Sequence, residues 1–379
     1  MTVLEQQINH STLEAVLRPV APIAAVYLGS GPDVANEYQL SWETRWRPLA
    51  ATLREQGADE ETVKVLESAL AAPASARAAR GSGQVAGFAQ AGQVLALVTL
   101  PELDGDDVAR FGAPAHLVPL LAWSQQRPPY VSVVIDRTGA DLESSIGRGN
   151  APGHSTVEGP DDEIERTDAG GLLSQGRFQH RAEDSWAHNA AAVAEAVADA
   201  LHRVEGRVLV ISGDVRASQL LLDRLPDWVR KTVAIKKVTG SRANDGSREA
   251  HAAAVARAVE ETVREQTAAL WQTYLEGSSP NGLSVTGAKE TLDALAHSRV
   301  GTLLVDSPSP EEPEAWFGEA PTEVHAAGDS GPTWPDPRTG RLTDVAVRAA
   351  LLTGAQVRVI PPDAGFAPED GVGGICRFR

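Results

Sequence analysis

The residues from Gly170 to Arg181, Gly-Gly-Leu-Leu-Ser-Gln-Gly-Arg-Phe-Gln-His-Arg, concentrate groups suited to contact with RNA. The pair Gly170-Gly171 admits positive φ and lets the main chain approach a ligand closely, at a cost in conformational entropy. Gln175, Arg177, Gln179, His180 and Arg181 then supply planar, multi-donor groups that pair with phosphate or stack on bases. A surface loop ahead of a core helix carries a similar composition, so these residues alone leave both readings open.

A second basic stretch follows at Trp228–Arg242. The chain has five lysines, and three of them, Lys231, Lys236 and Lys237, fall there beside Arg230. They suit either a phosphate-facing patch or a strand edge that uses lysine to discourage aggregation. Positions 165–242 carry 12 Lys/Arg against 10 Asp/Glu, a net of +2 in a chain of formal charge −17. The remaining residues therefore carry −19, and the stretch holding both basic segments stands apart from them.

Other constellations are weaker. Asp136 and Asp214 stand just after apolar strand patterns, with Asp141 close behind, and could hold Mg²⁺ for phosphodiester cleavage, although aspartate after a strand is also a common turn residue. Asp136 fits the turn into Arg137-Thr138-Gly139 better. His180, Glu183, Asp184 and His188 have ligand-like spacing but suit an exposed helix start. Gly147–Gly153 opens no helix and so fails as a dinucleotide loop, and the sequence contains no P-loop motif. The single cysteine, Cys376, excludes an intramolecular disulfide and a multi-cysteine zinc site; its expected role is packing in the last strand. No metal or cofactor is expected.

The elements that must position these groups follow from periodicity. Beyond Ala182, Trp186, Val193, Val197, Leu201 and Val204 share one helical face and mount the glycine segment on a helix. Tyr130–Ile135, Val208–Ser212 and Val233–Val238 read as strands, with a helix at Ala217–Leu225 and an irregular span at 147–171. This alternation favours an α/β layer with a largely parallel sheet. Before it, strands at Pro22–Leu28, Gln84–Ala89 and Val94–Leu100 mix with helices at Glu37–Glu55, Glu60–Leu70 and His116–Gln126, and Ala71–Arg80 reads as a linker. Arg127-Pro128-Pro129 stops the last of these helices. After the basic stretch come a long helix from Arg248 to about Leu275, a helix at Lys289–His297, a strand at Val300–Val305, a proline-rich loop at 307–337, a helix at Leu342–Leu352, and strands at Gln356–Ile360 and Gly374–Arg379. The expectation is a multi-domain α/β protein with an N-terminal α+β domain at 1–126, a middle domain at 127–242 and a C-terminal α/β domain at 243–379.

The glycine pair, Gln175, Arg177-Phe178, Arg181 and the long Ala/Val-rich helix resemble the middle domain of archaeo-eukaryotic class I release factors and Pelota. They resemble more closely the bacterial archaeo-eukaryotic release factors, which include the Balon-like hibernation factors and dormancy-associated mycobacterial relatives. Tyr130–Asp141, Val208–Arg216 and Asp370–Phe378 match in order, so the likeness spans about residues 20–379. It implies a release-factor-like middle domain and a C-terminal sandwich like that of kink-turn-binding ribosomal proteins. It also implies binding to the 70S ribosome at the A site, with Gly170, Gly171, Gln175, Arg177, Gln179, His180 and Arg181 against ribosomal RNA near the peptidyl-transferase centre. Arg230, Lys231, Lys236 and Lys237 would add to the RNA contacts, and elongation factor Tu would be a partner.

In the release factors a glutamine directly follows the glycine pair. Here Leu172-Leu173-Ser174 intervene before Gln175, and each residue changes a group's reach by about 3.5 Å, more than a catalytic donor tolerates. Occupation without peptide release, as in hibernation under stress, is therefore the leading expectation. Peptidyl-tRNA hydrolysis in ribosome rescue, with Gln175 taking part, is the first alternative, and a metal-dependent nuclease is the second. Length favours two or three domains, and 42% hydrophobic with 22% charged residues excludes disorder. With no secretory leader and no long apolar run, a cytoplasmic protein without a membrane partner is expected.

Overall fold

Val131, Val133 and Ile135 alternate with Tyr130, Ser132 and Val134, and both sets find cover, which makes Tyr130–Ile135 (β5) the centre of a sheet buried on two faces. The computed structural model describes residues 10–29, 38–78, 83–101, 107–147, 153–158, 189–240, 242, 248–279, 282–306, 313–328 and 331–379. They fall into two units, Gln126–Gln266 and a second formed by Met1–Gln125 with Thr267–Arg379. The sequence divides the chain three ways, at 126/127 and 242/243; the structure joins the first and third of those segments in one unit.

In the middle unit, β5 pairs antiparallel with Gly139–Ser145 (β6), which pairs antiparallel with Gly153–Glu158 (β7). On its other side β5 runs parallel to Val208–Gly213 (β8), and β8 runs parallel to Ala234–Lys237 (β9), giving the order β7-β6-β5-β8-β9. A helix whose described part is 189–204 (α5), Val215–Arg224 (α6) and Asp227–Thr232 (α7) cover one face. Val193, Val197 and Leu201 pack there on Val131, Val133, Leu209 and Ile211 together with Leu221 and Val229. Residues 248–266 of Arg248–Gly277 (α8) cover the other face, where Val255, Ala258 and Val259 meet Val208 and Val210. The expected parallel sheet thus carries an antiparallel hairpin at one edge. β7 lies within the span expected to be irregular; its residues are mostly polar and exposed, and it is held chiefly by backbone pairing with β6, with Thr156 bonding Asp141 and Val157 packing on the core.

In the other unit, Ile23–Gly29 (β1), Gly83–Gln90 (β2), Gln93–Pro101 (β3) and Val108–Gly112 (β4) form an antiparallel sheet in the order β3-β2-β1-β4. Tyr38–Glu55 (α2) and Glu60–Ala78 (α3) cover one face through Trp46, Leu53, Leu66 and Leu70. α3 continues through most of the stretch expected to be a linker, in keeping with its alanines, the best helix formers. The same unit holds the mixed sheet of Ser284–Thr286 (β10), Val372–Cys376 (β16), Val300–Val305 (β11) and Gln356–Val359 (β15), in that order. The proline-rich span at 307–337 contains two strands, Glu314–Phe317 (β12) and Val324–Ala326 (β13); β12 pairs antiparallel with β13 on one side and with Arg338–Arg341 (β14) on the other in a small third sheet. Cys376 is buried in β16, where burial pushes its thiol up.

Buried polar contacts explain why the terminal segments make one unit. Leu342–Leu352 (α10) turns Asp344 and Arg348, one helical turn apart and both buried, toward the N-terminal residues. Asp344 sits 2.9 Å from the His116 ring Nδ1, and the Tyr27 hydroxyl donates to the His116 carbonyl at 2.8 Å. Burial, with the Asp344 charge adding, pushes the Tyr27 phenol well up. Arg348 donates to the carbonyls of Leu17, Gly318 and Glu319 at 3.1, 3.3 and 3.0 Å. Such groups are stable inside a protein only when partnered, so each segment completes the other's core.

Candidate nucleic-acid interface

Asp136 closes β5 with a side-chain turn. Its Oδ1 accepts from the Thr138 N–H at 2.8 Å, the Thr138 hydroxyl at 2.7 Å and the Gly139 N–H at 3.1 Å. This is the local bonding that favours aspartate at turns. Gly139 is needed because the main chain of β7 passes so close that a Cβ would stand 2.1 Å from the Val157 carbonyl oxygen.

Both flanks of the glycine-bearing segment meet at this turn. Glu158, the last residue of β7, pairs with Gly139, and Asn189, buried at the described start of α5, donates its side-chain amide to the Arg137 carbonyl at 2.9 Å. Glu158 and Asn189, the described residues on either side of 159–188, thus both lie at the carboxyl end of β5. Ligands of open α/β sheets bind at that edge. Gly170, Gly171, Gln175, Arg177, Gln179, His180 and Arg181 themselves lie outside the described residues.

Arg242 braces the same turn. Its Nε and Nη2 donate to Asp141 at 3.0 and 3.2 Å, and its Nη1 donates to Asp136 Oδ1 at 3.1 Å and to the Thr138 hydroxyl at 3.3 Å. The bond from Arg242, helped by the Thr156 hydroxyl, outweighs burial and holds the Asp141 carboxyl below its ordinary range. Burial pushes Asp136 up, but Thr138 and Arg242 together outweigh it and hold that carboxyl down as well. Bonding to Asp141 in turn raises Arg242. Two of the three strand-end aspartates are thus taken up by an arginine. The third, Asp214, caps α6 by accepting from the Ala217 N–H at 2.9 Å. Among the described residues, no three His, Cys, Asp or Glu side chains are grouped to hold a metal ion. The residues that suggested a nuclease are engaged in building the turn and the helix cap.

The second basic stretch does not form one surface. β9 begins at Ala234, directly after α7, so Arg230 and Lys231 stand at the amino end of the sheet, while Lys236 and Lys237 run toward the carboxyl end. Lys236 and Lys237 pair beside Val210 and Ile211, two and three residues along β8 from Val208, so the strand sets the two basic pairs about 10 Å apart along its direction. Lys236 bonds Glu265 at 2.7 Å and lies 3.5 Å from Glu261, which ties the edge strand to α8 and raises the ammonium pKa, the Glu265 bond contributing most. Lys237 is exposed. Arg230 and Lys231 share one acid, Asp227, at 2.5 and 3.8 Å.

Sequence reasoning misses Asn189, Arg242 and Trp228. The Asp-x-Thr-Gly turn at 136–139 is legible, but nothing local says that residues 53 and 106 positions away bind to it. Trp228, 41% exposed, carries one signal, as a tryptophan two residues ahead of the basic pair Arg230-Lys231.

Residues 129–279, which contain the whole described sheet of the middle unit, match the model of bacterial archaeo-eukaryotic release factor family 2. Over these residues the chain is similar to the bacterial archaeo-eukaryotic release factors. Over 359 residues it is 27% identical to Uncharacterized protein Rv2629 of Mycobacterium tuberculosis strain H37Rv, covering 94% of this chain and 93% of that protein. Uncharacterized protein MT2704 of strain CDC 1551 matches equally. Among solved structures, the archaeal termination factor aRF1 aligns over 97% of this chain and 98% of its own, at 14% identity and TM-score 0.26. Dom34 of S. cerevisiae aligns over 73% and 74%, at 9% identity and TM-score 0.40. Archaeal Pelota, in a model of ribosome-bound Pelota and ABCE1, aligns over 100% and 99%, at 14% identity and TM-score 0.40. Superpositions this loose carry no argument about function.

Proposed function

We propose that this chain is a ribosome-associated translation factor that occupies the A site and holds the ribosome idle, in the manner of the Balon-like hibernation factors it resembles. The observation that carries the reading is the common anchorage of both flanks of residues 159–188 at the Asp136–Gly139 turn, within the unit that matches the release-factor family. The sequence between these flanks, with Gly170-Gly171 near its centre and Arg177, Gln179, His180 and Arg181 beyond, has the groups that contact with ribosomal RNA requires. The spacing of Gln175 from the glycine pair favours occupation over peptide release. A cytoplasmic location and elongation factor Tu as a partner follow from the same resemblance. Among the described residues no helix is long and apolar enough to cross a membrane.

Two measurements on purified ribosomes carrying peptidyl-tRNA test this reading. The chain should compete with A-site tRNA and leave the peptidyl ester intact. Turnover of peptidyl-tRNA that disappears on Gln175→Ala would replace the reading with ribosome rescue by hydrolysis, and failure to compete would remove both.

A further inference from the structure

Trp228 is 41% exposed on α7, while its neighbour Val229 is fully buried. An exposed indole offers a flat apolar face for stacking, and tryptophan is enriched at interfaces. The surroundings indicate what it would recognise. Arg203 lies in the last turn of α5, Arg207 immediately precedes β8, Arg224 ends α6, and Arg230 and Lys231 follow Trp228 on α7; all five are exposed. The backbone brings them to one end of the sheet, because the Arg207 N–H donates to the Pro129 carbonyl and the Arg207 carbonyl accepts from Ala234, the first residue after the α7 loop. The acids adjoining these cations in sequence are Glu205, Asp223 and Asp227, and Asp227 pairs with both Arg230 and Lys231. A surplus of positive charge around an exposed indole therefore stands on a chain of formal charge −17.

From this juxtaposition we infer that the amino end of the middle sheet is a second RNA-binding surface, on which Trp228 stacks an unpaired base while Arg207 and Lys231 meet the flanking phosphates. Stacking needs only an accessible aromatic face, and phosphate contact needs only mobile cations beside it, so the surface fits single-stranded or looped RNA rather than a duplex whose bases are already stacked. It lies about 20 Å from the turn that anchors residues 159–188. It rests on the ribosome-directed reading only for which RNA is bound, not for whether RNA is bound.

The test is fluorescence anisotropy of the full chain with a labelled RNA hairpin that has an unpaired loop, and with the same loop strand annealed to its complement. Trp228→Ala should weaken binding to the looped RNA by about tenfold, and Trp228→Phe should stay within about twofold of the unaltered chain. Neither should change duplex binding. Arg207→Gln with Lys231→Gln should flatten the salt dependence by roughly 0.7 in log–log slope for each phosphate that the side chains no longer neutralise. Unchanged loop affinity in Trp228→Ala, or loss of ribosome binding in that variant without loss of RNA binding, overturns the inference; the second outcome assigns the surface to a protein partner. A chain that fails to compete with A-site tRNA yet shows the Trp228 effect on RNA would sink the functional reading and leave this one standing.

Discussion

Asn189 donates its side-chain amide to the Arg137 carbonyl at 2.9 Å, and so fixes the described start of α5 to the turn that closes β5. Asn189 is buried and the bond partly so, and an aspartate of the same shape could only present an acceptor to that carbonyl. Asn189→Asp should therefore destabilise the protein by roughly 2–4 kcal/mol, as for a buried charge facing an acceptor. Urea unfolding measures this, and a loss below about 0.5 kcal/mol would mean that the bond does not anchor the helix.

Arg242 should link stability to pH. Asp136 and Asp141 are both held below their ordinary range, so the stability they contribute is present above the unfolded carboxyl pKa, near 4, and is lost as pH falls through the folded values. Arg242→Met should lower the melting temperature at neutral pH, and the gap from the unaltered chain should close below about pH 4. A gap that widens toward acid would contradict the assignment.

Gly139→Ala places a methyl group 2.1 Å from a backbone oxygen, with no flexible side chain able to move away. The β6–β7 hairpin has to shift, at a cost of about 2 kcal/mol or more. Backbone amide shifts on β7 and at Asn189 should move together, because both depend on the same turn.

Arg348→Met leaves the carbonyls of Leu17, Gly318 and Glu319 without their shared donor in a buried site. A loss of about 3 kcal/mol or more is expected. The signals of the N-terminal and C-terminal segments should unfold in one transition, since both belong to the same core. Separate transitions for the two segments would contradict their grouping into one unit.

Local pattern reveals the elements whose side chains are buried. β5 and β11 follow apolar runs, and α10 follows a helical repeat, so all three are legible to the residue. β7 is not, because its exposed polar residues carry no hydrophobic alternation and only its pairing with β6 makes it a strand. The short strands β12 and β13 are hidden for a similar reason, inside a stretch whose prolines read as loop. The union of the terminal segments is illegible because it rests on contacts such as His116 with Asp344 and Arg348 with Leu17, far apart in the chain. At the site, the Asp136 turn is legible from Asp-x-Thr-Gly. Proximity in sequence misleads for Arg230, Lys231, Lys236 and Lys237, since the strand between the two pairs carries them toward opposite ends of the sheet.

The most direct measurement is cosedimentation of the full chain with 70S ribosomes across a salt series, repeated with Arg177→Gln and Arg181→Gln combined. Binding at low salt that falls steeply as salt rises, and that the double substitution weakens, is the predicted result, because lysine and arginine displace counterions from phosphates. No cosedimentation at low salt, or binding indifferent to both salt and substitution, would contradict a factor that reaches ribosomal RNA through this segment.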